Sequence, residues 1–304
     1  MLAVVKKEGK ALTGIKKRLW KNRYGYLFLL PIFLIMGVFK YYPAIIAIIM
    51  SFFEWNGYNL ARFTGLQNYI HLFEDQVFLT AMKNVSIICI AGLVKVFTFP
   101  LLAAELVFNM KSRFSNASKY LFVIPMVVPT MVVILMWKWI YNPTFGVLNQ
   151  LLALFGVDTM NHAWLGSSGT ALASLIGVGF PWIGGTAFLI LLGGLQAIPV
   201  DLYESAKVDG IRIWQRLRYI DLPLIFGQLR LLAITTLIDC LSSFENVMIL
   251  TNGGPGDYTM VPALHMYQQG MTYYQMGYAC TIGMSIFVIV FVFTLLSFRL
   301  QRAD

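Results

Sequence analysis

Long apolar runs broken by short polar segments set the pattern of this chain. Six stretches, 25–52, 84–108, 119–142, 169–196, 223–249 and 277–298, are dominated by hydrophobic residues. Each is long enough to cross a bilayer core, which takes roughly 17–20 helical residues. The pattern predicts an all-α membrane protein with six transmembrane helices in one helical domain. Pro31, Pro43, Pro100, Pro125, Pro129 and Pro181 fall inside these runs and predict kinks where neighbouring helices must satisfy freed carbonyls. The first run is too long for a signal-peptide core and holds no small-residue cleavage site, so it reads as an uncleaved span.

Composition agrees. The 304 residues are 58% hydrophobic and 12% charged, and the mean hydropathy is +0.70; soluble domains carry about 25% charge. The formal net charge of +9 invites a nucleic-acid reading, but its distribution argues against one. Eight of the 23 basic residues precede the first span: Lys6, Lys7, Lys10, Lys16, Lys17, Arg18, Lys21 and Arg23. Segments 1–24, 109–119, 197–222 and 299–304 hold eight, three, four and two Lys or Arg, whereas 53–83, 143–168 and 250–276 hold two, none and none. The positive-inside rule then places both termini on the cytoplasmic side of the membrane.

Enzyme chemistry finds no foothold. Cys89, Cys240 and Cys280 lie unpaired in apolar runs and His71, His162 and His265 are scattered, so neither a disulfide framework nor a metal-ligand spacing is present. No catalytic or metal residue is assigned. The glycines of 251-TNGGPGDY-258 lack the lysine of a nucleotide loop and read as a turn on the outer side.

The most informative segment is 198-IPVDLYESAKVDGIRIWQRLRYIDLPLI-225. Asp201 with Glu204 predicts a capping box opening a short helix, and Asp209-Gly210 predicts its end, glycine taking the left-handed conformation freely. A second short helix is expected to carry Ile213, Leu217 and Ile220 on one face with Arg212, Arg216 and Arg218 off it. Asp221 and Pro223 restart the chain as a span. Helices this short are marginal alone, which implies a surface to pack against.

Glu204-Ser205-Ala206, Asp209-Gly210 and Leu222-Pro223 resemble the EAA loop of permeases in binding-protein-dependent ABC importers, with Ser205 in place of an Ala and Asp221 before Leu-Pro. Segments 63-FTGLQNY-69, 137-WKWIYNPTFGVLN-149, 195-LQAIP-199 and 251-TNGGPG-256 are similar to the maltose-type, multiple-sugar branch. The resemblance implies a type I importer fold, with a basic segment at 1–24, a first helix and outer loop at 25–80, a permease domain at 81–298 containing the coupling loop 198–223, and a C-terminal tail at 299–304. In it Glu204, Ser205, Ala206, Asp209, Gly210, Ile213, Leu217 and Pro223 would contact an ATPase subunit. It further implies two ATP-binding subunits carrying ATP and Mg, with no cofactor bound by this chain, a second permease in a pseudo-twofold pair, and an extracytoplasmic solute-binding protein. The cargo implied is a sugar or oligosaccharide; glycerol phosphate, or a stand-alone secondary transporter, are the alternatives.

Polar residues at membrane depth are costly, roughly 2.5–3.5 kcal/mol for a central charge on insertion scales. Asp239, Ser242, Ser243 and Asn246 recur at helical spacing in the fifth run, with Thr235 and Thr236 a turn earlier and Phe244 beside them. They are expected to line the substrate path; interhelical polar packing is the other reading. Phe180 and Trp182, around Pro181, are the second expected contact. Lys95 is expected to pair with Asp239 or Glu245, and Lys138 to snorkel.

Overall fold

A computed structural model describes residues 22–157 and 162–300; the basic positions Lys6 to Lys21, and Arg302, lie outside them. Three helices are long and apolar enough to cross a membrane unaided: α1 (Arg23–Met50), α3 (Gln76–Phe108) and, in the stretch Met276–Leu296, α14 (Met276–Leu300). Up to three further crossings come from bent helix pairs. Between α1 and α3 lie a two-residue hairpin, β1 (Phe53–Glu54) with β2 (Arg62–Phe63), and α2 (Gln67–Glu74). The remaining helices are α4 (Ser112–Val123), α5 (Thr130–Ile140), α6 (Val147–Leu154), α7 (Ala171–Gly177), α8 (Gly185–Gln196), α9 (Val200–Val208), α10 (Ile213–Arg216), α11 (Phe226–Ser242), α12 (Glu245–Leu250) and α13 (Pro262–Tyr267).

The ends of these elements correct the sequence reading. The run 84–108 begins earlier, at Gln76, because Asp75 caps α3: its Oδ1 accepts from Val77 N at 2.8 Å and Phe78 N at 3.2 Å. The run 119–142 is no single rod. Pro125 and Pro129 withhold backbone donors, and the chain turns by 90° between Phe114–Val127 and Thr130–Ile140. The run 169–196 is likewise split into α7 and α8 around Pro181, and 223–249 into α11 and α12, with Ser243 extended between them.

Two buried clusters sit at opposite ends of α3. One joins Leu101, Ala104 and Val107 of α3 to Phe188, Leu191 and Leu195 of α8, and to Tyr203, Ile225 and Leu232. The other joins Phe78, Ala81 and Val85 to Leu241, Leu264, Tyr278 and Ile282. Helix α3 is therefore the central strut, with α8 and α11 against it. In contrast α1 buries no residue against its own chain. Its C-terminal half, Tyr42–Met50, rests against α14. Arg23–Met36 lies uncovered by the rest of the chain, and an apolar stretch so placed suits a lipid environment.

Candidate functional site

The loop between α8 and α11 is anchored to the end of α3. Helix α9 ends in a full Schellman motif: Ile211 N donates to Ala206 O at 3.0 Å and Gly210 N to Lys207 O at 3.2 Å. Gly210 has φ +69, and nothing lies within 4 Å of the Cβ it lacks, so glycine is required there by backbone conformation alone. The expected capping box is not what starts α9. Pro199 precedes the helix and no side chain caps it; Asp201 sits inside the first turn, where its charge complements the free N–H groups.

The second short helix also departs from expectation. After α10 the backbone widens into a π-turn at Leu217–Asp221, which rotates the following side chains off a regular face. Arg216, expected to point away, turns inward. Its Nε donates to Asp221 Oδ2 at 2.9 Å, its Nη2 to Glu105 Oε2 at 2.7 Å and its Nη1 to Asn109 Oδ1 at 2.7 Å. Tyr203 Oη donates to the other oxygen of Asp221 at 2.8 Å. Asp221 is fully buried, and Arg216 and Glu105 side chains are 16% and 12% exposed.

One guanidinium thus bridges two carboxylates and ties α9, the π-turn and the end of α3 into one body. Burial and the bond to Asp221 push the Tyr203 hydroxyl above the usual tyrosine range. Burial alone would lower the Arg216 pKa, but its bond to Asp221 and the charges of Asp221 and Glu105 reverse that and hold it above the ordinary value. Sequence reasoning missed this cluster, since Glu105 and Asn109 lie 111 and 107 residues from Arg216.

Helices α9 and α10 present large apolar side chains outward among charged ones, Glu204, Lys207, Asp209 and Arg212 being exposed as well. Val208 is 88% exposed, Trp214 76% and Ile213 70%. Glu204, Ser205, Asp209 and Pro223 are exposed, Ala206 is buried, and Leu217 is half-buried. Such a surface on an anchored loop is suited to a protein partner.

The fifth-run positions divide. Thr235, Asp239, Ser242 and Ser243 stay close along the end of α11, but the helix stops at Ser242, so Asn246 belongs to α12 and not to the same stripe. Thr235 Oγ1 is bonded to Leu231 O and Leu232 O, and Ser243 Oγ donates to Asp239 O at 2.6 Å. Among the described residues the Asp239, Ser242 and Asn246 side chains make no hydrogen bond and are exposed on this chain. Phe244 is half-buried and stacks on Tyr267 at 5.3 Å.

Phe180 and Trp182 meet a partner that the sequence did not reveal. Phe99 of α3 packs edge-on against Trp182 at 4.9 Å, and Trp182 against Phe180 at 5.0 Å. Trp182 Nε1 donates to Val178 O at 3.0 Å. The Lys95 ammonium stands 4.8 Å from the Trp182 ring and donates to Ile176 O. It pairs with neither Asp239 nor Glu245, contrary to expectation: the freed carbonyls where α7 ends and the face of the indole offer a nearer partner. Lys138 donates to Ile249 O at 2.8 Å.

At the far end of α3, Asp75 Oδ2 accepts from Tyr278 Oη at 2.6 Å and lies 2.8 Å from His265 Nε2. Burial works against the Asp75 carboxylate, yet its bonds with Tyr278 and His265 and from Phe78 N hold its pKa below the usual range. The described residues contain no group of three His, Cys, Asp or Glu able to hold a metal.

Comparison with known proteins places this arrangement among relatives. Residues 97–303 match the model of the family described as binding-protein-dependent transport system inner membrane component. A probable ABC transporter permease protein of Bacillus subtilis is 33% identical, over 90% of this chain and 94% of its own. A trehalose/maltose transport system permease protein of Thermococcus litoralis is 32% identical, over 91% and 93%. In three dimensions the fold matches a chain of a bacterial ABC transporter involved in the import of the acidic polysaccharide alginate. The TM-score is 0.83 at 24% identity, covering 95% of this chain and 98% of that one.

Proposed function

Since the chain belongs to the family of inner membrane components of binding-protein-dependent transport systems, we propose that it forms one half of the pathway through which an ATP-driven importer carries a sugar or oligosaccharide. As a member it is a multi-pass transport subunit rather than an enzyme. The sugar reading is supported by relatives named for trehalose/maltose and lactose transport. The observation that carries the mechanism is the anchored loop: a short helix closed at Gly210, with Val208, Ile213 and Trp214 exposed among charged residues, and bound by Arg216 to the end of α3.

In this reading residues 81–298 are the permease domain and the 198–223 loop faces the cytoplasm, as do both termini. A separate pair of subunits binds ATP and Mg; Glu204, Ser205, Ala206, Asp209, Gly210, Ile213, Leu217 and Pro223 meet one of them. When that pair closes, the displaced loop carries α3 with it through Arg216. Because α8 and α11 pack on α3, the motion is transmitted as rigid-body rocking against a second permease subunit. Solute arrives from an extracytoplasmic binding protein and passes Thr235, Asp239, Ser242, Ser243, Phe244 and Asn246 on one side and Phe180 and Trp182 on the other. The exposed hydroxyls and carboxylate suit a solute that demands many hydrogen bonds, and the rings offer it a stacking face.

The test is uptake into proteoliposomes. Labelled maltotriose, lactose or N,N′-diacetylchitobiose is expected to accumulate only when this chain is reconstituted with the second permease, the ATPase pair, the binding protein and ATP. Uptake at full rate by this chain alone contradicts the reading.

A further inference from the structure

A cavity of about 650 Å³ lies at the Asp75 end of α3, away from every residue assigned to the solute path. Its size is that of a small-molecule site, about 300–1,000 Å³. The walls are the β1–β2 hairpin, α2 and the turn before α14, and they are held by buried bonds. Asn68 Nδ2 donates to Ser51 O and Phe53 O, both at 3.0 Å, and Thr281 Oγ1 to Ser51 O at 2.9 Å. Gly277 N donates to Trp55 O at 3.0 Å. The floor includes Tyr278, fixed by its bond to Asp75. The cavity is preformed.

Its lining is chemically open. Among the described residues the side chains of Glu54, Trp55, Arg62, Gln67 and Gln275 make no hydrogen bond or ion pair. Glu54 and Arg62 are register partners across the hairpin, the arrangement in which opposite charges ordinarily pair, yet no ion pair joins them. Tyr274, at the same wall, is held at φ +55, a conformation that costs a bulky residue and persists where surrounding structure imposes it. Glu54 and Arg62 bring one charge of each sign and five amides line the walls, so with His71 neutral the cavity carries no net formal charge to attract an anion or a cation over a neutral ligand. Planar hydrogen-bonding groups beside the rings of Trp55 and Tyr274 match a neutral ligand with alternating hydroxyl and C–H faces.

We propose that this cavity is a saccharide-binding site distinct from the transport path, on the face that the charge bias assigns to the outside. The ligand class agrees with the transport reading, but binding here needs neither ATP nor partner subunits. The experiment is saturation-transfer NMR and calorimetry on the full chain in lipid nanodiscs, titrated with maltotriose, lactose and N,N′-diacetylchitobiose. At least one is expected to bind, with affinity falling tenfold or more in Gln275→Ala and Trp55→Ala and retained within threefold in Trp55→Phe. Gln275→Ala removes only an unbonded side chain, so its loss is not a folding effect. Absence of binding by all three sugars, or binding unchanged in Gln275→Ala and Trp55→Ala, overturns the proposal. None of these results touches ATP-driven uptake, which is measured separately in the reconstituted complex.

Discussion

Arg216 Nη2 of the α9–α11 loop lies 2.7 Å from Glu105 Oε2 of α3, so the loop and the central strut move as one unless this pair is broken. Removing one member of a buried pair leaves the others uncompensated, at about 3–5 kcal/mol. Arg216→Ala is expected to lower the thermal unfolding midpoint of the detergent-solubilised subunit. In the assembled importer it should also raise the number of ATP molecules hydrolysed per solute. Arg216→Lys, which keeps the charge but cannot reach both carboxylates and Asn109 together, should fall between. An unchanged ATP-to-solute ratio in Arg216→Ala would remove the strut from the coupling route.

Gly210→Ala isolates backbone strain from sterics. At φ +69 with open space around the missing Cβ, the alanine should cost about 1–2 kcal/mol. The loop helix would fray while the spans stay intact. Hydrogen exchange confined to 200–212 would be faster in the variant, and protection in α3 unchanged.

Gly277 supports the far end by a different means. A Cβ there would overlap the Phe53 carbonyl oxygen, and that contact is backbone, not a flexible side-chain tip. Gly277→Ala is therefore expected to exceed the ~3 kcal/mol that bounds ordinary substitutions, and to open the hairpin to limited proteolysis between 53 and 63.

Asp75 gives the fold a pH dependence. Its folded pKa lies below the ordinary carboxylate value, about 3.9 in an unfolded chain, so its contribution is present above that value and is lost as pH falls through the folded pKa. The gap in melting temperature between wild type and Asp75→Asn should be widest near neutrality and narrow below about pH 4. A gap that widens on acidification would reverse the assignment.

Asp239→Ala is expected to reduce uptake more than assembly, because Asp239 is exposed on this chain and has no internal bond. Co-purification of all subunits together with slowed uptake supports a place on the path. Equal uptake would leave the position a packing one.

The hydrophobic pattern made the class of fold legible, and EAA-like spacing made the loop legible, because both are local. The breaks at Pro129 and Pro181 were legible from the prolines themselves, whereas the break at Ser243 was not: an apolar run without proline reads the same whether the helix through it is straight or bent. Arg216 was misplaced because a π-turn follows it at Leu217–Asp221, so Leu217 and Ile220 do not continue the face that Ile213 starts, and periodicity assumes a constant 3.6 residues per turn. Lys95 was matched to the nearest carboxylates by charge, whereas a carbonyl and an indole face were closer. The Asp75–His265–Tyr278 cluster joins positions 190 and 203 residues apart, and no local signal marks such a meeting.

The most direct test of the lever is ATP-driven uptake by proteoliposomes containing the complete importer with Gly210→Pro in this chain. Proline cannot take a positive φ, so the turn that closes α9 is lost while the spans remain. The account predicts a subunit that inserts and assembles, ATP hydrolysis that continues, and solute accumulation that stops. Accumulation at the wild-type rate would contradict it.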